Sequence, residues 1–188
     1  MMNNEWIRAQ ADLCGSVAEL NRKYASTSND DVAPVSCDAI VSALHQFQEC
    51  VRYLNTRRST GAILNLDSEA QVQDAVYLML RPWISDLISE NPMGKVANRY
   101  SIKDFISVSA KTVIEIKYVR DSSHGKHISK EMHDDIEVYR HHPKCKTIVF
   151  FVYDPDSLIP DQQTLKAQIE TERHYGGKAL KCLLIVKP

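Results

Sequence analysis

The fold is decided by the stretch Asp104-Phe-Ile-Ser-Val-Ser-Ala-Lys-Thr-Val-Ile-Glu-Ile-Lys117. Residues 102–108 are rich in Ile, Phe and Val, and so are residues 112–119. Both compositions are typical of β-strands, and Ser109-Ala110 between them predicts a turn. We therefore predict that this stretch forms a β-hairpin.

The predicted hairpin brings two acidic side chains together. A turn centred on residues 109–110 places Asp104 directly opposite Glu115, and opposed Cβ atoms lie about 4.5–5.5 Å apart. Two carboxylates at that distance repel each other unless a cation lies between them. Because side chains alternate along a strand, Lys117 shares the face of Glu115, while Ile114 and Ile116 lie on the other face. This arrangement predicts a metal site.

The chemistry that these residue types favour is metal-assisted cleavage of a phosphodiester. Hard divalent ions such as Mg²⁺ prefer carboxylate, carbonyl and water oxygens. We predict that Asp104, Glu115 and the backbone carbonyl of Ile116 bind the metal and that Lys117 holds or deprotonates the attacking water. The alternative is a surface hairpin with an ordinary Asp–Glu–Lys cluster. The apolar flanks favour a central strand, where unpaired charges are costly.

The order Asp, about ten residues, Glu-x-Lys resembles the PD-(D/E)XK nuclease superfamily, and more narrowly the DpnII/MboI-type restriction-endonuclease-like domains. In place of the proline of that pattern, Ile102-Lys103 precedes the Asp. Together the resembling segments cover roughly residues 67–186. They are Ser68–Asp74, Lys103–Phe105, Val113–Tyr118, Asp135-Ile136 with Tyr139, His142-Pro143 and Phe150–Pro155.

The resemblance implies an α/β fold with a restriction-endonuclease-like mixed central sheet flanked by helices. It also implies a Mg²⁺-dependent centre, with Mn²⁺ as a substitute, that hydrolyses DNA in prokaryotic defence such as restriction or abortive infection. The metal-binding acids of the family carry over to Asp104 and Glu115, and its lysine carries over to Lys117. A further acid on the first core helix carries over to Glu69.

Helical spacing bears on the position of Glu69. It lies on one stripe with Val72 and Val76, which predicts that it faces inward at the end of an apolar face. The alternative is helix-start chemistry, with Asp67 or Ser68 as the N-cap and an acid favoured in the first turn. Both interpretations remain open, and they are compatible.

Composition limits the class of protein. The chain has 188 residues, 44% of them hydrophobic, which is enough for a full-sized core. No apolar run has the length of a membrane span, and we expect no secretory segment. Five scattered cysteines indicate reduced thiols in a cytoplasmic protein. A net charge of −1 argues against a non-specific nucleic-acid binder but not against a nuclease.

We predict two parts, an N-terminal helical extension over residues 1–60 and a nuclease core over residues 61–188. Apolar spacing predicts helices over 3–25 and 36–57, paired as an antiparallel hairpin. The hairpin would pack on the core, bind DNA or bind a partner subunit of a defence system. Because double-strand cleavage generally needs two active sites, we expect a homodimer.

The core pattern predicts alternating helices and strands. Pro82 should kink or split the first helix at Arg81. The predicted elements are a helix over 68–90, a short strand over 95–100, a helix over 128–141, a strand over 147–153, a helix over 161–174 and a strand over 179–186.

Basic residues after the hairpin predict contacts to the DNA backbone. Arg120 and Lys126 lie in a polar segment, residues 120–127, that reads as a loop, and Lys130 follows it. The Gly and Ser content of this loop fits an ordinary flexible connector equally well. Asp135 lies beside the apolar stripe of the next helix, where it would support the site or simply occupy the helix shoulder.

Other functions are less well supported by the sequence. Scattered histidines near Cys145 raise a zinc site or a Cys–His nucleophile, but no paired cysteines and no His-Glu-x-x-His motif accompany them. A non-catalytic nucleic-acid-binding or assembly module on the same fold is the main rival, and an RNA-directed nuclease is the second.

Overall fold

The structure, a computed structural model, describes residues 35–56, 61–89, 104–140 and 142–188. Residues Val35–Pro188 form one compact unit. Its helices are α1 (Cys37–His45), α2 (Phe47–Thr56), α3 (Glu69–Leu80), α4 (Ser122–Tyr139) and α5 (Gln162–Ile169). Its strands are β1 (Leu87–Ser89), β2 (Phe105–Ser107), β3 (Thr112–Tyr118), β4 (Thr147–Tyr153), β5 (Arg173–Tyr175) and β6 (Lys178–Lys187).

The predicted hairpin is confirmed. Strands β2 and β3 are antiparallel, with Phe105 opposite Ile114 and Ser107 opposite Thr112. Residues 108–111 form the turn, which Lys111 completes with a φ of 51°. One step further along this register, residue 104 falls opposite residue 115, so the turn places the two predicted acids together.

The strands form a six-stranded mixed sheet in the order β1-β2-β3-β4-β6-β5. Strands β3, β4 and β6 are parallel to one another, and the other neighbours pair antiparallel. Every residue of β4 is buried, as expected of an apolar strand that is covered on both faces. The predicted mixed central sheet flanked by helices is confirmed.

Helices cover both faces of the sheet. Ile114 and Ile116 belong to a core shared with α1, α2 and α3. Val113 and Phe150 belong to a second core, which is shared with α4 and α5. Alternation along β3 therefore directs Glu115 toward the α4 side, and the predicted separation of Glu115 from Ile114 and Ile116 onto opposite faces is confirmed.

The second predicted N-terminal helix is present, but it breaks at Gln46 into α1 and α2. Its apolar positions Ile40, Leu44, Phe47 and Val51 are buried in the first core. The predicted helix over 3–25, its hairpin with the second helix and the predicted strand over 95–100 lie outside the described residues. The domain boundary at residue 60 stays a prediction, whereas the compact unit begins at Val35.

Three predicted helix boundaries are wrong. The helix predicted over 68–90 ends at Leu80 with Arg81 as its C-cap, which confirms the break predicted at Pro82, but residues 87–89 are not helical and pair as β1. Helix α4 begins at Ser122 instead of residue 128, because the Asp121 side chain accepts a hydrogen bond from the backbone N–H of His124 and caps it. The helix predicted over 161–174 ends at Ile169, and residues 173–175 form β5.

No helix in the described part of the chain combines the length and the apolar character that crossing a bilayer requires.

Candidate active site

Two buried carboxyl groups lie close together at the open end of the hairpin, where Asp104 immediately precedes β2 and Glu115 lies on β3. Asp104 is 4% exposed and Glu115 is fully buried. Their carboxyl groups lie close enough to share a hydrogen bond when one of them is protonated. The backbone N–H of Ile116 donates to Oδ2 of Asp104, and the side-chain amide of Gln73 donates to Oδ1 at 2.7 Å. Helix α3 and strand β3 thus fix Asp104 from two sides.

The carboxylate of Glu115 is held asymmetrically. Its Oε1 atom accepts a hydrogen bond of 2.5 Å from the hydroxyl of Tyr139 on α4. Its Oε2 atom is buried and has no hydrogen-bond partner among the residues that the structure describes. A buried carboxylate oxygen without a donor is costly unless another group compensates its charge. This oxygen therefore indicates a position for a cation.

The amine of Lys117 lies beside the two acids. Its Nζ atom is 3.9 Å from Oε2 of Glu115 and 2.7 Å from Oδ2 of Asp135. The side chains of Lys117 and Asp135 are both buried, so this ion pair is shielded from solvent. Asp135 thus supports the site, which was the less common of the two interpretations that the sequence left open.

Burial dominates the electrostatics of the acids. It raises the pKa of Asp104 to about 6, against the opposing hydrogen bond from Ile116. Burial, followed by the charges of Asp104 and Asp135, raises the pKa of Glu115 to about 8. For Lys117, burial works to lower the pKa, but the hydrogen bond and charge of Asp135 outweigh it and the pKa is raised. Two acids that resist ionisation beside a charged amine are typical of a functional site.

The sequence matches the profile of one protein family over most of its length. The profile of the DpnII-MboI family, described as REase_DpnII-MboI, matches residues 38–181, which include the sheet from β1 to β5 and the helices on both of its faces. The chain belongs to the DpnII-MboI family of restriction endonucleases. The predicted family is therefore confirmed. No curated protein and no solved structure matches the chain.

The donor set of this DpnII-MboI protein fits a hard divalent cation. Asp104 and Glu115 offer carboxylate oxygens, and Oε2 of Glu115 accepts no hydrogen bond within the described residues. The N–H and C=O of one strand residue point to the same side, so the carbonyl of Ile116 faces the side of Asp104. The described residues contain no group of three or more His, Cys, Asp or Glu side chains placed to hold a metal. A metal here would therefore bind to two carboxylates, a carbonyl and water.

Glu69 lies at the first position of α3 and is exposed, so the prediction that it faces inward is wrong. The alternative is confirmed, because the Ser68 side chain accepts a hydrogen bond from the N–H of Gln71 and caps the helix. The charge of Glu69 nevertheless raises the pKa values of Asp104 and Lys117. Glu69 is therefore near enough to influence the site from its solvent side.

The basic residues predicted to contact DNA are exposed. Arg120 follows β3, whereas Lys126 and Lys130 lie one turn apart on α4. The predicted flexible loop is wrong, since residues 122–127 are helical. All three side chains remain candidates for contacts to the phosphate backbone.

Sequence reasoning missed the contacts of Gln73, and it assigned Tyr139 only to an apolar stripe. Gln73 lies one helical turn after Glu69, which is the one signal that places it near the site. Asp135 and Tyr139 are likewise one turn apart on α4, which predicts a shared face but not its partners. Their contacts depend on how α3 and α4 pack against the sheet.

Proposed function

We propose that this DpnII-MboI family protein is a Mg²⁺-dependent endonuclease that hydrolyses DNA phosphodiester bonds. The observation that carries the proposal is the buried Oε2 atom of Glu115, which accepts no hydrogen bond within the described residues and lies 3.9 Å from the amine of Lys117. Two acids with raised pKa values and an adjacent lysine form the donor set that metal-assisted hydrolysis needs. Membership of a restriction endonuclease family supports DNA as the substrate.

In this proposal Asp104, Glu115 and the carbonyl of Ile116 hold Mg²⁺, or Mn²⁺ in its place. The bound ion would lower the pKa of water and screen the charge of the scissile phosphate. Lys117, which its raised pKa keeps as an ammonium ion, would orient the attacking water and stabilise the hydroxide, while the proton of that water leaves to solvent. Glu69 acts as a supporting acid at the solvent side of the site.

The DNA backbone would be contacted by Arg120, Lys126 and Lys130, whose side chains are exposed. Because the net charge of the chain is −1, phosphate binding has to come from local groups like these. The alternating hydrophobic and polar sides of α4 keep both lysines in solvent while Ile128 and Met132 enter the core.

We further propose that the protein acts in the cytoplasm in prokaryotic defence, as a homodimer, and that its N-terminal helices bind a partner subunit. Four cysteines in the described residues are free thiols, which supports a reducing compartment. A pair of active sites would cut both strands of a duplex.

The decisive experiment incubates purified protein with plasmid DNA and with RNA, each with Mg²⁺ or with EDTA. We expect Mg²⁺-dependent cleavage of DNA. Glu115→Gln and Lys117→Met should fold and lose cleavage, by at least about 100-fold for the lysine. Matched controls are Glu172→Gln and Lys144→Met, which change exposed residues and should retain activity.

Cleavage in EDTA, or full activity in both site variants, would contradict the mechanism. Binding of nucleic acid without cleavage in any metal would favour the non-catalytic module on the same fold. Cleavage of RNA alone would reassign the substrate to RNA while keeping the same metal chemistry.

A further inference from the structure

Helix α4 presents two buried polar side chains to the candidate active site. Asp135 and Tyr139 lie one turn apart and are 4% and 1% exposed. They contact different residues of β3, because Tyr139 donates its hydroxyl to Oε1 of Glu115 and Asp135 pairs with Lys117. Together the two contacts determine which carboxylate oxygen of Glu115 is available to bind a cation.

The hydrogen bond from Tyr139 fixes the carboxylate of Glu115. Rotation about the last side-chain bond would exchange the two oxygens, and a donor that holds one of them at 2.5 Å fixes the direction of the other. The ring of Tyr139 is part of the second core, so its hydroxyl has little freedom to follow a moving carboxylate. As a result, Oε2 is the oxygen of Glu115 that remains directed toward a cation.

The ion pair with Asp135 removes a competitor for that oxygen. The ammonium of Lys117 is itself a cation and lies 3.9 Å from Oε2 of Glu115, but it lies 2.7 Å from Asp135. Without Asp135, the nearest buried carboxylate for Lys117 would be Glu115. A lysine that bonded to Oε2 would occupy the position of a metal ion.

The helix that carries both residues packs closely against the loop that follows β4. A Cβ atom on Gly125 would lie 2.4 Å from the carbonyl oxygen of Leu158, so α4 packs on the backbone of the 154–159 loop. That loop is held in turn by Asp154, whose carboxylate accepts hydrogen bonds from the N–H groups of Leu158 and Ile159. The helix that carries Asp135 and Tyr139 is therefore anchored near its N-terminal end.

We infer that Tyr139 and Asp135 are positioning residues that keep Oε2 of Glu115 free for a divalent cation. Tyr139 fixes the carboxylate, and Asp135 holds Lys117 away from it. This inference rests on the proposed metal-dependent function. It concerns binding of the metal, which can be measured without cleavage.

The test measures Mn²⁺ binding to the full chain by electron paramagnetic resonance. Tyr139→Phe keeps the buried ring and removes only the hydroxyl, and we expect it to bind Mn²⁺ about tenfold more weakly. Tyr153→Phe is the matched control, because Tyr153 is also buried but lies in the core on the other face of the sheet. It should bind Mn²⁺ like the wild type.

The second arm tests the competition between Lys117 and the metal. Asp135→Asn should also weaken Mn²⁺ binding by about tenfold, whereas Asp134→Asn, at an exposed neighbouring position, should not. Adding Lys117→Met to Asp135→Asn should restore binding to the level of Lys117→Met alone. Adding Lys117→Met to Tyr139→Phe should restore nothing. A purely structural role of Asp135 does not predict this rescue.

The outcomes separate the inference from the proposed function. Wild-type binding in both Tyr139→Phe and Asp135→Asn, or no rescue by Lys117→Met, overturns the inference and leaves the nuclease proposal intact. The expected binding pattern without any cleavage supports the inference and overturns the nuclease proposal. If the wild type binds no Mn²⁺, or if Glu115→Gln binds Mn²⁺ as tightly as the wild type, both the inference and the nuclease proposal are overturned.

Discussion

Replacing Glu115 with glutamine should make the metal-free protein more stable at neutral pH. In the folded protein, burial and then the charges of Asp104 and Asp135 raise the pKa of Glu115 from 4.5 to about 8. An acid whose pKa is higher in the folded state takes up a proton on folding. Its contribution is therefore most favourable below the unfolded pKa and is lost as the pH rises through the folded pKa.

The size of the effect follows from the window between those two pKa values. Within it, one proton is bound on folding, so the free energy of unfolding falls by about 1.4 kcal/mol per pH unit. From about pH 5 to about pH 7 this amounts to roughly 2–3 kcal/mol. Because glutamine cannot ionise, the free energy of unfolding of Glu115→Gln should not show this decrease with rising pH.

The assay is urea denaturation in EDTA at several pH values, for the wild type and Glu115→Gln. We expect the variant to gain roughly 2–3 kcal/mol relative to the wild type between about pH 5 and about pH 7. Because both proteins contain all other titrating groups, their difference reports Glu115 together with its effect on the pKa values of Asp104 and Lys117. Glu172→Gln, at an exposed position, should follow the wild type. Parallel curves for the wild type and Glu115→Gln, or a difference of opposite sign, would refute the reasoning.

Three further predictions concern the supports of the site. Gly125→Ala should lower the free energy of unfolding by about 1–3 kcal/mol, because the added Cβ would clash with the carbonyl of Leu158. Thermal or urea denaturation measures this loss. An unchanged stability would mean that α4 and the 154–159 loop separate easily. Gln73→Ala should cost about 1 kcal/mol, because Oδ1 of Asp104 loses its amide donor, and a urea midpoint equal to the wild type would contradict the importance of that bond. Mg²⁺ at about 100 times its dissociation constant should raise the free energy of unfolding of the wild type by about 2.7 kcal/mol. It should not stabilise Glu115→Gln. Equal stabilisation of both proteins would mean that the metal binds elsewhere.

The sequence predicts the part of the fold that local pattern controls. Strands β2 and β3 follow from their composition, and a turn between them sets the register that brings Asp104 to Glu115. The apolar run of β4 likewise predicts a strand that is buried on both faces. These elements position the site because Asp104 and Glu115, the proposed metal ligands, lie beside β2 and on β3 of the same hairpin.

Boundaries and supporting contacts are less visible in the sequence. Glycine and serine in residues 120–127 are typical of a loop, but Asp121 caps a helix there and the glycine is needed for packing against Leu158. Strand β1 has only three residues and gains its pairing from β2. Tyr139 reads as an ordinary core aromatic, since nothing in the spacing shows that its hydroxyl reaches Glu115.

The most direct test of the central claim is a crystal structure of the protein soaked with Mn²⁺, with the metal located by anomalous scattering. Our account predicts a peak between the carboxylates of Asp104 and Glu115, bound to Oε2 of Glu115, with the amine of Lys117 beside it. A fully soaked crystal with no peak there, or with the two carboxylates turned away from each other, would contradict it.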